Sequence, residues 1–294
     1  MERLLIIDGH AYAYRAFHAI RELNSPSGKP TNAIYGFIKM VAKLRGSIAP
    51  THCIVVWDGG LSAERLAALP EYKAQRPEMP EAMRPQLDEI MEYLGAARVA
   101  SYCRDGIEAD DAIACLARRA EHMEWKTVIA SSDKDFMQLV SRWVGLLNPH
   151  DKTEVVWAAE QVRAKTGVEP GQIVDWLSLI GDNVDNIPGV PGVGPKTAAD
   201  LLKQFGTIEE LFRRLGEVKS ERVRGALLAA KDAVLRNRGL VRLHEVSCDF
   251  SPDELAAKPP DAARVARLYE RWGFKKLLAE LNESASRDRQ AVLI

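Results

Sequence analysis

The chain has 294 residues, 47% of them hydrophobic, with 40 Lys or Arg against 41 Asp or Glu and a net charge of −1. This reads as a soluble globular protein with enough apolar material for two modest cores or one large one. No apolar stretch approaches the roughly 20 residues of a membrane span. The opening MERLLIIDG reaches Asp8 too soon for a signal peptide, so the cytoplasm is the expected compartment. The cysteines (53, 103, 115 and 248) form no Cys-x-x-Cys pair and the histidines lack His-x-x-x-His spacing, which argues against zinc.

Taken in chain order, Leu4 to Ile7 is a short apolar run ending at Asp8-Gly9, the pattern of a central strand with a carboxylate at its C-terminal tip. Tyr12, Arg15 and Phe17 follow on a helical stretch, where Arg15 either reaches a phosphate or pairs with an acid. Ser25 to Pro30 is a turn, and Thr31 or Asn32 caps a second helix running to about Leu44, with Ile34, Phe37, Ile38 and Val41 as its core stripe. Cys53 to Trp57 repeats the first pattern and ends in Asp58-Gly59-Gly60. Residues 70–86, PEYKAQRPEMPEAMRPQ, are broken by four prolines and offer Tyr72, Lys73, Arg76 and Arg84. They form either a solvated loop or an element that crosses a pocket and meets phosphate and stacked bases. A helix from about Gln86 to Leu94 and a strand near Arg98 to Ser101 come next.

In the following stretch five acids bracket a helix and a strand. Glu108, Asp110 and Asp111 open a helix whose apolar face is Ile113, Leu116, Ala117 and Ala120; Asp133 and Asp135 follow the strand-like Thr127-Val-Ile-Ala. Each alone reads as a helix cap. Together they lie where open α/β sheets place their chemistry, and Asp-x-Asp in a strand-to-helix turn suits a divalent cation with oxygen ligands. Clustered carboxylates repel one another unless protonated or metal-bound. Trp143 to Leu147 and Val155 to Trp157 read as edge strands, after which strands cease.

From Gly171 the pattern is helical. A helix from Gln172 to Ile180 ends in Gly181-Asp-Asn-Val-Asp185, so Asp182 and Asp185 stand ready to complete an acidic pocket. Then comes IPGVPGVGPKTA, whose glycines let backbone approach a partner and whose Lys196 stands at a helix start, suited to a phosphate. It lacks the order of a P-loop and follows no strand, which argues against nucleotide binding. From Gly189 to His244 there are eleven Lys or Arg against six Asp or Glu, either a solvated helical surface or a basic docking face beside an acidic pocket. Residues 252–260 form a spacer before a last amphipathic helix with Val265, Leu268 and Trp272 inward.

IIDGHAYAYRAFHA, PTNAIYGF, VWDGG with PEYKAQRP, GIEADDAIA, SSDKDFMQLV, LIGDNVDNIPGVPGVGPKTA and GFKKLL, collinear over about residues 3–282, resemble the 5′-3′ exonuclease and flap endonuclease family. The resemblance is to its bacterial branch, the N-terminal nuclease domain of DNA polymerase I, here as a stand-alone chain. It implies an α/β fold: a central, mostly parallel sheet flanked by helices, PIN-like or resolvase-like, over 1–166 with a helical arch near 70–88. An all-α helix-hairpin-helix DNA-binding domain follows over 167–283, then a flexible tail over 284–294.

The resemblance further implies two Mg²⁺ or Mn²⁺ ions held by Asp8, Asp58, Glu108, Asp110, Asp111, Asp133, Asp135, Asp182 and Asp185. Asp8, Asp58, Asp111 and Asp133 serve catalysis in that reading, with Lys73 and Arg76 neutralising phosphoryl charge. The DNA contacts are Arg15, Tyr72, Lys73, Arg76, Gly192, Gly194 and Lys196. A K⁺ ion sits at the Gly-rich turn on the carbonyls of Leu179, Ile180, Pro188, Val190 and Val193. The implied reaction is hydrolysis of DNA at a 5′ flap, nick or 5′ end, RNA-primed ends included, leaving 5′-phosphate and 3′-hydroxyl. A nucleoid-associated monomer without membrane attachment is expected. Trp57 stands where Phe is commoner and Glu64 where an aromatic or small residue is, the latter a change expected to weaken a contact near the arch. The competing readings are a PIN-type metal-dependent ribonuclease, a phosphatase or phosphotransfer receiver using Asp8, and a non-catalytic DNA-binding scaffold.

Overall fold

The computed structural model describes residues 1–151, 153–248 and 250–291. In chain order it runs β1 (Arg3–Asp8), α1 (Gly9–Ala19), α2 (Asn32–Ile48), β2 (His52–Val56), α3 (Ala63–Ala68), α4 (Arg84–Ala96), β3 (Ala100–Tyr102), α5 (Ala109–His122), β4 (Lys126–Ala130) and β5 (Val144–Leu147). Then come α6 (Ala159–Thr166), α7 (Ile173–Ile180), β6 (Gly181–Asp182), β7 (Ile187–Pro188), α8 (Pro195–Phe205), α9 (Ile208–Arg213) and α10 (Glu221–Ala229). The last helices are α11 (Lys231–Val241), α12 (Pro252–Leu255), α13 (Ala262–Trp272) and α14 (Lys275–Ala291). The fold is of the expected class, parallel strands flanked by helices and then a helical segment.

The elements pack as two compact units: Met1–Trp57, Met79–Cys103 and Asp249–Ile294 make one, Asp58–Glu78 and Arg104–Cys248 the other. In the first unit the C-terminal segment packs with the N-terminal one. His52 bridges Ala256, and Trp272 Nε1 on α13 donates to Glu89 on α4 at 2.8 Å. Residues 284–291, expected as a frayed tail, continue α14, and 292–294 lie outside the described residues.

In the first unit β3, β2 and β1 pair in parallel. Leu4 to Ile7 and Cys53 to Val56 are all buried, since a strand covered on both faces has no polar side to alternate with. Ile34, Phe37, Ile38 and Val41 of α2 form the expected stripe, each full burial contributing about 1.5–3 kcal/mol. The cap of α2 is not the expected one. Thr31 donates its hydroxyl to Leu23 O, and the Ala33 N–H is taken instead by Gln86 Oε1 at 2.8 Å, a buried amide on α4 that also donates to Asn32 Oδ1.

In the second unit β4 and β5 pair in parallel, and α5 buries Ile113, Leu116, Ala117 and Ala120 at helical spacing. Cys115 on α5 and Cys248 form a disulfide that their spacing in sequence did not suggest. Val155 to Trp157 is no strand: Trp157 makes one antiparallel bridge to Leu146, after a turn in which Glu154 has φ 55° and Asp151 accepts from the Trp157 indole. Strands do recur later, where β6 and β7 pair antiparallel to close residues 183–186 into a loop.

Candidate metal centre and active site

Asp58 lies in a turn that only glycine allows. Gly59 N–H donates to Ile107 O at 3.0 Å and Gly106 N–H to Gly59 O at 2.8 Å, so close that a Cβ on Gly59 would sit 1.9 Å from Arg104 O. This backbone contact fastens the Asp58 turn to the loop that leads into α5. Asp58 Oδ1 itself accepts from Gly60 N–H at 3.0 Å.

At the start of α5 two carboxylates are buried. Glu108 is 1% exposed; its Oε1 accepts from Ser62 N–H at 3.0 Å and faces Arg65 Nη1 at 3.1 Å, while its Oε2 accepts from Tyr72 OH at 3.1 Å and from Lys73 Nζ. Burial opposes its ionisation, but Lys73 and Arg65 outweigh burial and hold its carboxyl down to about 2.

Arg65, 3% exposed, spends every N–H: Nη1 and Nη2 on Asp111 at 2.7 and 2.8 Å, Nη1 also on Glu108, Nε on Leu240 O and Nη2 on Arg242 O, both at 3.0 Å. Asp111 Oδ1 also accepts the His244 N–H at 2.8 Å. Both oxygens of Asp111 thus accept from protein donors, and this carboxylate anchors Arg65. Nothing in AERLAA marks Arg65 as a buried position.

The segment between α3 and α4 is a run of turns, and its cations point into the acids. Lys73, 5% exposed with φ 56°, sets Nζ against Glu108, 3.6 Å from Asp110 and 3.8 Å from Asp185. Burial depresses this ammonium, yet Asp110, Asp185 and Glu108 outweigh burial and raise it above the ordinary lysine value. Arg76 Nη2 donates to Asp185 Oδ1 at 2.6 Å. Tyr72 was expected to face bases. Instead it is 3% exposed with its hydroxyl on Glu108 and Lys73 Nζ 4.9 Å from its ring centre, so it presents no stacking surface. Glu64 is exposed and lies 3.6 Å from His244.

Asp133 caps the 3-10 helix Lys134–Leu139, its Oδ1 accepting from Asp135 N–H at 2.8 Å, so the cap reading holds for this residue. Asp135, Asp182 and Asp185 each bring a carboxylate oxygen to within 4.8 Å of the others. Asp135 Oδ1 is buried with no hydrogen-bond partner among the described residues. Its carboxyl is pushed well above the usual range, by burial first and then by Asp133, Asp110, Asp182 and Asp185. Lys134, 3.2 Å from Asp182, is the cation there that the sequence did not single out. An orphaned buried oxygen among like charges, with hard oxygen donors and no Cys or His, fits a divalent cation of the Mg²⁺ or Mn²⁺ kind.

Asp8 and Arg15 belong to the first unit. Asp8 ends β1, is buried, and N-caps α1 by accepting from Ala11 N–H at 3.0 Å. In the Gly-rich turn the residues from Pro191 to Lys196 are exposed except Val193, and Gly192 has φ 78°, which favours glycine. Among the five carbonyls expected to hold K⁺, Leu179 O accepts from Val190 N–H at 2.8 Å, Val190 O from Val193 N–H at 3.0 Å and Pro188 O from Asn237 Nδ2 at 2.7 Å.

With this geometry in hand, comparison with known proteins is decisive. Residues 3–167 match the 5′-3′ exonuclease N-terminal resolvase-like domain and 168–263 the 5′-3′ exonuclease C-terminal SAM fold. The chain belongs to the 5′-3′ exonuclease family. It is 37% identical over 284 residues to the 5′-3′ exonuclease of Aquifex aeolicus, covering 96% of each chain. It is also 36% identical over 292 residues to DNA polymerase I of Bacillus caldotenax, covering 98% of this chain but only 33% of that enzyme, so it spans about a third of such relatives. Its fold is similar to that of the bacteriophage T5 flap endonuclease in a pseudo-enzyme-product complex with DNA and metal ions, with TM-score 0.68 and 22% identity over 96% of this chain and 100% of that one.

Proposed function

We propose that this member of the family is a structure-specific, metal-dependent 5′ nuclease that hydrolyses DNA at 5′ flaps, nicks and 5′ ends to leave 5′-phosphate and 3′-hydroxyl. The observation that carries this reading is the convergence of Asp135, Asp182 and Asp185, with Asp135 Oδ1 unpartnered and Lys73 beside the group. The names of the relatives agree with it. Two ions, Mg²⁺ or Mn²⁺, bound there would supply Lewis acidity toward a phosphodiester and acidify a water. Asp135, Asp182 and Asp185 would hold them, with Asp110, Glu108, Asp133 and Asp58 around; Asp8 joins the set on resemblance alone. Lys73 and Arg76, already among the acids, balance that charge and meet phosphoryl oxygens, while the Tyr72 hydroxyl orients Glu108. No helix among the described residues is long and apolar enough to cross a membrane; a cytoplasmic monomer is part of the proposal.

The test is cleavage of 5′-flap, nicked, blunt and RNA-primed duplexes with and without chelator. EDTA should abolish cutting with binding intact, and Mg²⁺ should restore it; efficient cutting in EDTA would sink the reading.

The exposed turn before α8 is the proposed grip on duplex DNA, with K⁺ at its carbonyls and Gly192, Gly194 and Lys196 against phosphates. At φ 78° a valine is strained by about 1–3 kcal/mol, so Gly192→Val should displace this turn and weaken duplex binding. Cutting of a single strand with a 5′ end should persist. Gel-shift titrations that show equal losses on duplex and single strand would detach this turn from duplex binding.

A further inference from the structure

We propose that the cleft between α5, α7 and α11 binds a phosphate group, independently of the nuclease reading. Its cavity of about 280 Å³ is bounded by Arg118, Arg238, Arg242, Asp175, Gln138 and Thr207 among others. Arg118 donates Nη2 to Leu243 O at 3.0 Å, but its Nη1 is buried and has no acceptor among the described residues. Arg242, exposed on the same cleft, has no acidic partner among the described residues.

The acceptors lining the cleft are already used. Asp175, its one carboxylate, forms an ion pair 2.9 Å from Arg238 Nε, which makes no hydrogen bond among the described residues, and accepts from Ile208 N–H at 3.0 Å. Arg238 is further paired with Glu209. Gln138 accepts from Leu243 N–H at 3.1 Å and donates to Val241 O at 3.0 Å, and Thr207 Oγ1 accepts from Glu210 N–H while its own proton is still to be given. What remains is a surplus of donors: a guanidinium nitrogen on α5, a guanidinium fork just past α11 and a hydroxyl. A buried N–H of a cation without an acceptor is costly, and this donor set rejects cations and matches a tetrahedral oxyanion.

The cleft is also separate from the acids. Asp175 is in the first turn of α7 and Asp182 two residues past its end, roughly 10 Å further along at helical rise. A phosphate joining Arg118 to Arg242 would tie α5, which carries Glu108 and Asp110 at its far end, to the end of α11. The phosphate is either free, as inorganic phosphate or a mononucleotide, or part of a DNA backbone.

The experiment is thermal melting of the full chain in EDTA against rising inorganic phosphate, with chloride at equal ionic strength as reference. A saturable rise in melting temperature is expected, with half-saturation moved about tenfold by Arg118→Gln or Arg242→Gln and unmoved by Arg213→Gln on an exposed helix elsewhere. Arg242 is exposed, so its variant folds even if the Arg118 one does not. Adding a short blunt duplex assigns the source: loss of the phosphate effect marks the DNA backbone as the ligand, persistence marks free phosphate. A rise that matches chloride, or one that survives in Arg242→Gln unchanged, overturns the proposal.

Discussion

Asp135→Asn is expected to lose about three orders of magnitude or more in turnover and yet to melt higher than the wild type in chelator. The activity loss follows if its unpartnered Oδ1 holds a catalytic cation. The stability gain follows from the sign of its shift. Burial and four neighbouring aspartates raise its carboxyl in the folded state, so the folded chain binds that proton more tightly than the unfolded one. The stabilisation so gained is present at low pH and lost as pH rises through the raised folded value. At neutral pH the ionised carboxylate is a burden that asparagine does not carry, and removing about 1 kcal/mol raises the melting temperature of a chain this size by roughly 2–4 °C. Saturating Mg²⁺ should reverse the order, since only the wild type then gains fully. Single-turnover cleavage and melts with EDTA or Mg²⁺ check both halves. Cleavage within tenfold of wild type, or a lower melting temperature in EDTA, would count against a cation at Asp135.

The second large effect is on stability. Arg65→Gln removes a guanidinium that satisfies Asp111, Glu108 and two carbonyls at once, in a place only 3% exposed. Breaking a buried pair from one side leaves the other charge uncompensated, so a loss of about 3–5 kcal/mol is expected, roughly 10 °C in melting temperature. Arg65→Lys restores the charge without the fork and should recover less than half of it. The double variant with Asp111→Asn should be far less unstable than the two single losses added together, because they remove one interaction. Urea denaturation of the four proteins gives the cycle. An Arg65→Gln cost below about 1 kcal/mol would show that the carboxylates at the start of α5 are held by something else.

The placement of the acids on their elements was legible in the residues themselves. A continuous apolar run followed by an acid is a local pattern, and it placed Asp8 at the end of β1 and Asp58 directly after β2; the helical spacing of Ile113, Leu116, Ala117 and Ala120 placed Glu108, Asp110 and Asp111 at the start of α5. Caps are less legible. Thr31 has the right chemistry at the right place, yet Gln86, 53 residues away from Ala33, supplies the acceptor.

The sequence by itself determined most of the elements, the acid-tipped strands and the family resemblance, because periodicity and residue type are properties of neighbours along the chain. Only the tertiary structure decided how the acids divide. Asp135, Asp182 and Asp185 share a space in which one oxygen has no donor, while Asp111, equally acidic and next to Asp110, receives Arg65 from 46 residues away on both of its oxygens. It likewise turned Tyr72 from an expected stacking surface into a buried donor to Glu108, and joined Cys115 to Cys248 across 133 residues. A carboxylate binds a cation with whatever lone pairs the fold leaves open, and lone pairs are filled by donors that approach in space rather than in sequence.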